Sequence, residues 1–188
     1  VENMDVVPSN IVLSAGDLQL VNEVAREQTL SRAIAPVLTD YDIVLIDCPP
    51  VLGVLLINAL AASQRLLIPV QTDFLAIKGL ERMLHTLRMV SKSRPRPLEF
   101  TVVPTFFDRR TRASQESLSV LQRNHGEHLW DGVIPIDTRL REASRAGVPP
   151  AVFEPRARSV EAYTRLLEYL LQDAESPVRP QPGREMSA

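Results

Sequence analysis

Short apolar runs alternate along the chain with stretches in which apolar residues recur every three or four positions. Met4 to Val7 reads as a short strand closed by Pro8, and Asp17 to Glu27 as a helix that aligns Leu18, Val21, Val24 and Ala25. Ser31 to Thr39 is helical in pattern but contains Pro36, whose ring clashes with the preceding turn, so a kink or early stop is expected there. Tyr41-Asp42-Ile43-Val44-Leu45-Ile46-Asp47 is an apolar run ending in a carboxylate, the pattern of a strand buried on both faces of a parallel sheet. Cys48-Pro49-Pro50 ends it. A helix over Leu52 to Ala62, a strand over Leu66 to Val70 and a helix over Leu75 to Val90 follow, the last turning Leu80, Met83, Leu84, Leu87 and Val90 toward a core. Ser91 to Pro97 carries Lys92, Arg94 and Arg96 among two prolines and reads as a solvated connector. Beyond it the pattern predicts a strand over Glu99 to Pro104, a helix over Ser114 to Asn124 and a strand over Gly132 to Ile136. Thr138 to Ala146 is a short helix stopped by Gly147, and Pro149-Pro150 enforces extended chain. The last helix, Val160 to Gln172, places Val160, Tyr163, Leu167 and Leu170 on one face.

Strands separated by helices of about 10 to 15 residues make βαβ units, so the expected fold class is α/β: a doubly wound, mostly parallel sheet with helices on both faces. The 188 residues allow one domain and one core over 1–172, with a Pro-rich disordered tail over 173–188. With 21 Lys+Arg against 23 Asp+Glu and 45% hydrophobic residues, collagen, coiled coil and wholesale disorder are excluded. The formal net charge of −2 argues against coating nucleic acid by bulk charge, so any basic patch must be found residue by residue. Cys48 is the only cysteine and can form no internal disulfide, which makes the cytosol the default compartment. The most apolar run, Val51 to Ala62, is too short to span a bilayer, and no targeting or membrane segment is expected.

Candidate chemistry starts with Asp47, a carboxylate at the carboxyl end of an apolar strand, the sheet edge at which α/β folds bind ligands. In P-loop proteins that position holds the Walker-B Asp, which acts on Mg²⁺ at the phosphates, although a capping or salt-bridging Asp is a commoner reason for such a residue. Cys48 beside it reads as a small hydrophobe rather than a nucleophile. His125-Gly126-Glu127-His128 has two histidines at metal-site spacing without an evident third ligand, so it reads as a surface turn.

A longer constellation changes the picture. Asp42-Ile43-Val44-Leu45-Ile46-Asp47-Cys48-Pro49-Pro50, Leu52-Gly53, Ile57-Asn58-Ala59-Leu60, Ile68-Pro69-Val70-Gln71 and Gly79-Leu80 closely resemble the ParA family of partitioning ATPases. The likeness continues in Asp108 with Arg110-Thr111, in Val133-Ile134-Pro135, in Arg139-Leu140 with Glu142-Ala143 and in Glu161-Ala162-Tyr163, and so covers nearly the whole chain to about Leu171. The run Phe107-Asp108-Arg109-Arg110-Thr111, with Asp137 to Arg141 and Ala143 to Gly147, looks most like the ParA-type proteins of polar-flagellate chemotaxis clusters. The resemblance implies a P-loop NTPase fold, ATP and Mg²⁺ as cofactors, and Asp47 as the catalytic carboxylate that holds Mg²⁺ through water. It also implies a switch II at Cys48, Pro49 and Pro50, and an adenine-lining loop at Pro135, where the family's Arg-Asn is replaced by Ile136-Asp137. Arg110 and Arg139 match positions at which relatives set arginines against DNA, and Arg112 adjoins them. A solvated face or a surface ion pair is the alternative for these arginines.

The departure is as informative as the match. ParA proteins begin with a strand and a deviant Walker-A loop containing two lysines, and none of the seven glycines here sits in a Gly-x-x-x-x-Gly-Lys-Ser/Thr arrangement. The expectation is therefore the carboxyl-terminal portion of a ParA-like ATPase domain, lacking the amino-terminal strands. By resemblance it belongs to a cytoplasmic ATP hydrolase, nucleoid-associated or polar, that forms a homodimer with ATP and binds DNA without sequence preference. Such a protein positions a chromosome locus, plasmid locus or chemotaxis array, with a ParB-like or array adaptor protein as partner. The alternative is a non-catalytic interaction module, or a truncated pseudo-ATPase, that binds a protein partner. A membrane-positioning ATPase resembling MinD fits poorly, because the last helix carries Glu161, Glu168 and Asp173 in place of a basic amphipathic face. Without a phosphate cradle, isothermal titration of ATP and Mg²⁺ into the 188-residue chain is expected to show no binding in the micromolar range; a micromolar isotherm would show that other residues hold the phosphates.

Overall fold

The structure, a computed structural model, describes residues 3–9, 26–48, 53–91 and 98–174. Helices are α1 (Thr29–Ile34), α2 (Val54–Ala62), α3 (Phe74–Ser91), α4 (Arg112–His125), α5 (Thr138–Ala146), α6 (Pro150–Phe153) and α7 (Arg158–Ala174). Among the described residues the strands are β1 (Arg65–Gln71) and β2 (Glu99–Thr105), joined through α3 into one parallel pair. This is the α/β architecture expected from the alternating pattern. The chain divides into two compact units, Val1–Leu66 with Glu81–Phe100 and Leu67–Leu80 with Thr101–Ala188.

In the first unit, Pro36 acts as expected: α1 stops at Ile34 and the chain continues as a 3-10 run over Ala35–Asp40. Asn58 on α2 is 3% exposed and engaged at both ends of its amide, accepting from the Leu30 N–H at 3.1 Å and donating to the Val54 carbonyl at 2.9 Å. Burying an amide is tolerable when both ends find partners, and here the partners tie α1 to α2. The expected strands at Met4–Val7 and Tyr41–Asp47 do not form. Ile43, Val44 and Leu45 are 54%, 44% and 85% exposed. A strand exists only by pairing, and among the described residues no ladder partner runs beside either segment, so neither forms a strand and their apolar side chains stay uncovered. The Tyr41 hydroxyl donates to Asp5 at 2.7 Å, and that bond together with the Asp5 charge pushes the phenol pKa up. The expected helix over Asp17–Glu27 lies mainly outside the described residues, as does the 175–188 part of the expected tail.

In the second unit β2 is the spine. Thr101 to Thr105 are all buried, whereas β1 alternates, with Ile68 and Val70 buried and Pro69 exposed. The other edge of β2 is taken by residues 129–136, which form isolated parallel bridges in place of the expected strand over Gly132–Ile136. Register explains the difference. Trp130 N–H donates to the Val102 carbonyl and Ile134 N–H to the Pro104 carbonyl, four residues of this segment against two of β2. The extra residues loop over the Trp130 indole at Gly132, where an added Cβ would run into the ring. Ile136 N–H then donates to the Phe107 carbonyl, so beyond Pro104 three residues of the β2 side face two. Phe106 is the surplus residue, held at φ 53° in the left-handed region, the geometry of a bulge, and the pairing resumes at Phe107.

The core packs Val103, Trp130 and Ile134 against Ala162 and Leu166 of α7, with Tyr169 and Leu170 at its margin. The buried face of α7 is therefore Ser159, Ala162 and Leu166, turned from the face the pattern predicted; Tyr163, Leu167 and Leu171 are 48%, 48% and 47% exposed. Apolar residues cover more than half of the helix circumference, so apolar periodicity alone could not choose which arc faces inward. Helix α5 ends as its sequence predicts. Gly147 adopts φ 66°, its N–H bonds the Ser144 carbonyl, and the Val148 N–H bonds the Ala143 carbonyl. No helix among the described residues is long and apolar enough to cross a membrane.

An added Cβ at Gly147 would meet no atom within 4 Å, so Gly147→Ala isolates the backbone term. Its expected cost is about 1–2 kcal/mol, the left-handed penalty of an L-residue, read as a lowered urea midpoint with unchanged slope.

Candidate functional site

The Phe107–Pro135 bridge sets two turns side by side at the carboxyl edge of the second unit, the turn after β2 and the turn before α5. Each is organised by an aspartate. Asp108 accepts from its own Arg110 backbone N–H at 3.0 Å, closing a tight turn, and its two oxygens take the Arg110 Nε and Nη2 at 2.9 and 2.8 Å. This two-pronged pairing with Arg110, with the Arg158 charge adding to it, lowers the Asp108 pKa from 3.8 to about 2 and raises that of Arg110. The guanidinium stays at the surface, its side chain 82% exposed. The Thr111 hydroxyl and N–H both donate to the Asp108 carbonyl, and α4 starts at the next residue.

Asp137 organises the second turn as the N-cap of α5. Its Oδ1 accepts from the Arg139 N–H at 3.0 Å, while Oδ2 accepts from the Ser159 N–H at 3.2 Å and the Ser159 hydroxyl at 3.0 Å. Partial burial opposes ionisation, but these hydrogen bonds and the Arg158 charge outweigh it and hold the carboxyl below its ordinary range. Both oxygens of Asp137 are thus occupied within the protein. Ser159, completely buried at the start of α7, is a residue that periodicity did not single out. The Asp before a helical run is the signal for the cap, but nothing local announces a serine 22 residues away as its second partner.

Of the three arginines expected to face a polyanion, Arg110 lies in the first turn, Arg112 opens α4 and Arg139 stands in the first turn of α5. Arg112 pairs with Glu116 at 2.6 Å and Arg139 with Glu142 at 2.9 Å, both along their own helices. Such exposed pairs contribute about 0.3–0.5 kcal/mol and yield readily to a competing phosphate. Arg110 differs, since its bidentate partner fixes the plane of the guanidinium.

Asp47 lies in the other unit and is exposed. Next to it Cys48 is half-buried, and burial, with the Asp47 charge, pushes its thiol pKa up, as suits a packing residue more than a nucleophile. Pro49 and Pro50 lie outside the described residues. For Mg²⁺ the donor present is one carboxylate, which fits a metal that takes most of its oxygens from water and phosphate. No group of three His, Cys, Asp or Glu able to hold a metal occurs among the described residues, His125 and His128 included.

Residues 1–100 match the AAA domain family. The chain is 39% identical over 167 residues to the sporulation initiation inhibitor protein Soj of Bacillus subtilis, covering 88% of this chain and 66% of Soj. It is 31% identical over 170 residues to the chromosome partitioning protein ParA of Myxococcus xanthus, covering 90% of this chain and 60% of that protein. Among solved structures, cobyrinic acid a,c-diamide synthase of Mycobacterium smegmatis, with a bound ATP analog and magnesium, superposes with a TM-score of 0.75 at 30% identity over 90% of this chain and 63% of that one. The chain thus spans less than two thirds of the length of these proteins, and 54% of another relative.

The two aspartates make stability acid-sensitive in a defined direction. A carboxyl whose folded pKa lies below its unfolded one stabilises fully above the unfolded value, and the contribution disappears as pH falls through the folded pKa, here from 3.8 toward about 2 for Asp108. Asp137→Ala should cost about 1 kcal/mol at neutral pH as a lost cap, with the deficit against the native chain narrowing below pH ~4 in urea titrations.

Proposed function

This chain belongs to the ParA family of partitioning ATPases, and on that premise we propose that it is the Walker-B and DNA-facing portion of an ATP-dependent positioning protein. The observation that carries the reading is the pair of aspartate-organised turns at one sheet edge, from which Arg110, Arg112 and Arg139 emerge at the surface. In this reading ATP and Mg²⁺ close a homodimer, the arginines of both copies meet duplex phosphates without reading sequence, and hydrolysis releases the complex. Asp47 would hold Mg²⁺ through water, and magnesium beside an ATP analog in the cobyrinic acid a,c-diamide synthase structure supports that cofactor pair. Mg²⁺ would neutralise phosphate charge when bound. Asp137, with both oxygens engaged, serves the adenine-side loop by holding Pro135 and Ile136 in place. The cargo is a chromosome or plasmid locus or a chemotaxis array, reached through a ParB-like or array adaptor protein, in the cytoplasm at the nucleoid or pole.

A second reading, a protein-binding module in which nucleotide plays no part, draws on the half-exposed Tyr163, Leu167 and Leu171 along α7. One experiment separates the two. In a complete ATP-bound dimer, Arg110→Ala and Arg139→Ala should each weaken duplex binding evenly across sequences and reduce the steepness of log K against log salt by about 0.9 per lost phosphate contact, doubled if the dimer presents it twice. Arg112→Ala should have an intermediate effect and Arg156→Ala none. Unchanged affinity and slope with intact dimerisation would favour the protein-binding reading, and undiminished turnover in Asp47→Ala would reduce Asp47 to a structural role.

A further inference from the structure

Beneath the arginine turn, buried hydroxyls form a chain whose direction can be worked out. Ser114, on the inner face of α4, and Thr72, just past β1, are 5% and 7% exposed, and their oxygens lie 2.6 Å apart. The Asp108 N–H donates to Ser114 Oγ at 3.1 Å. Thr72 Oγ1 lies 3.4 Å from both the Thr105 and Phe106 carbonyls, and the Thr72 N–H also bonds the Thr105 carbonyl at 3.0 Å. Each hydroxyl has one proton. If Ser114 gives its proton to Thr72 and Thr72 gives its own to a carbonyl, every buried group in the chain is satisfied. In that arrangement the bonds run head to tail from the Asp108 N–H through Ser114 and Thr72 to the end of β2, and such chains strengthen one another.

The geometry of the turn makes this chain more than core bookkeeping. It grips both flanks of Phe106, the bulge residue at φ 53°, which is 52% exposed. It also fixes the backbone nitrogen of Asp108, the residue whose carboxylate orients Arg110. We propose that the Thr72–Ser114 hydroxyl pair is the positioning element of the arginine turn, setting the backbone at Phe106 to Asp108 so that Arg110 is presented in a fixed plane to a phosphate. Thr72 and Ser114 act through Asp108 and touch no ligand themselves. The proposal rests on the reading of Arg110 as a DNA contact. It adds that part of the affinity comes from ordering the guanidinium before the encounter, which removes a cost that a free side chain meets on binding.

The test reads the turn and the DNA separately. In the 188-residue chain, carbon-detected NMR titration should place the Asp108 carboxyl near 2, and Ser114→Ala should move it toward 3.8 as the clamp loosens, while Ser114→Thr, which keeps the hydroxyl, should leave it low. Should Ser114→Ala fail to fold, Thr72→Val, which spares the acceptor of the Asp108 amide, should give a smaller rise in the same direction. In the complete ATP-bound dimer, Ser114→Ala should weaken duplex binding about three- to tenfold, the scale of one hydrogen bond, yet cause no further loss when Arg110→Ala is already present. An Asp108 carboxyl that stays near 2 in both Ser114→Ala and Thr72→Val overturns the proposal, as does an additive loss of DNA affinity in the double variant. If Arg110→Ala leaves DNA binding intact while Ser114→Ala still raises the Asp108 pKa, the DNA contact is refuted and the positioning pair is supported.

Discussion

A strand buried on both faces must have its two hydrogen-bonding edges occupied, and β2 imposes that demand on everything around it. Thr101 to Thr105 offer no exposed residue. One edge is met by β1 and the other by the 129–136 segment, whose detour over Trp130 is offset in part by the Phe106 bulge. At the carboxyl end, Thr72 takes up the Thr105 carbonyl that the ladder leaves over. Both site turns are consequences of how this strand ends: one leaves directly from it, the other is bridged to it at Phe107.

What could be read from the sequence divides along physical lines. Elements defined by local rules were legible: the proline stop after α1, the amphipathic α3 with Ile77, Leu80, Leu84 and Leu87 buried, and the glycine-capped α5. Elements defined by neighbours were not. The run from Ile43 to Leu45 is as apolar as any central strand, but apolarity supplies the faces and only a partner supplies the edge. The residues from Gly132 to Ile136 have strand character too, yet the register slip depends on how the neighbouring Trp130 ring packs and on a bulge at Phe106, brought from elsewhere in the chain. For α7 the sequence offered too much apolar surface, so the choice of buried arc fell to the shape of the core around Trp130.

The candidate site could be outlined from the sequence in its charged residues, whereas its supports were hidden. Arg110, Arg112 and Arg139 stand out because their sequence surroundings are shared with a family, and the helix-start position of Asp137 follows from its place before Thr138. Ser114 and Ser159 carry no such mark. A serine on a buried helix face is recognisable only after the partner is seen, since its hydroxyl is equally at home donating to its own helix backbone. The Asp108 and Asp137 carboxylates likewise look like surface charges in the sequence, whereas each organises a turn with both of its oxygens.

Trp130 is the only tryptophan in the chain, 2% exposed and roofed by the backbone at Gly132. Its indole emission is therefore a reporter of one compact unit alone. A blue-shifted spectrum will persist for as long as the β2 core keeps water from the ring. Fluorescence and far-ultraviolet dichroism followed through the same denaturant series would coincide if the whole chain melts together, and would part company if the two units lose their structure at different concentrations.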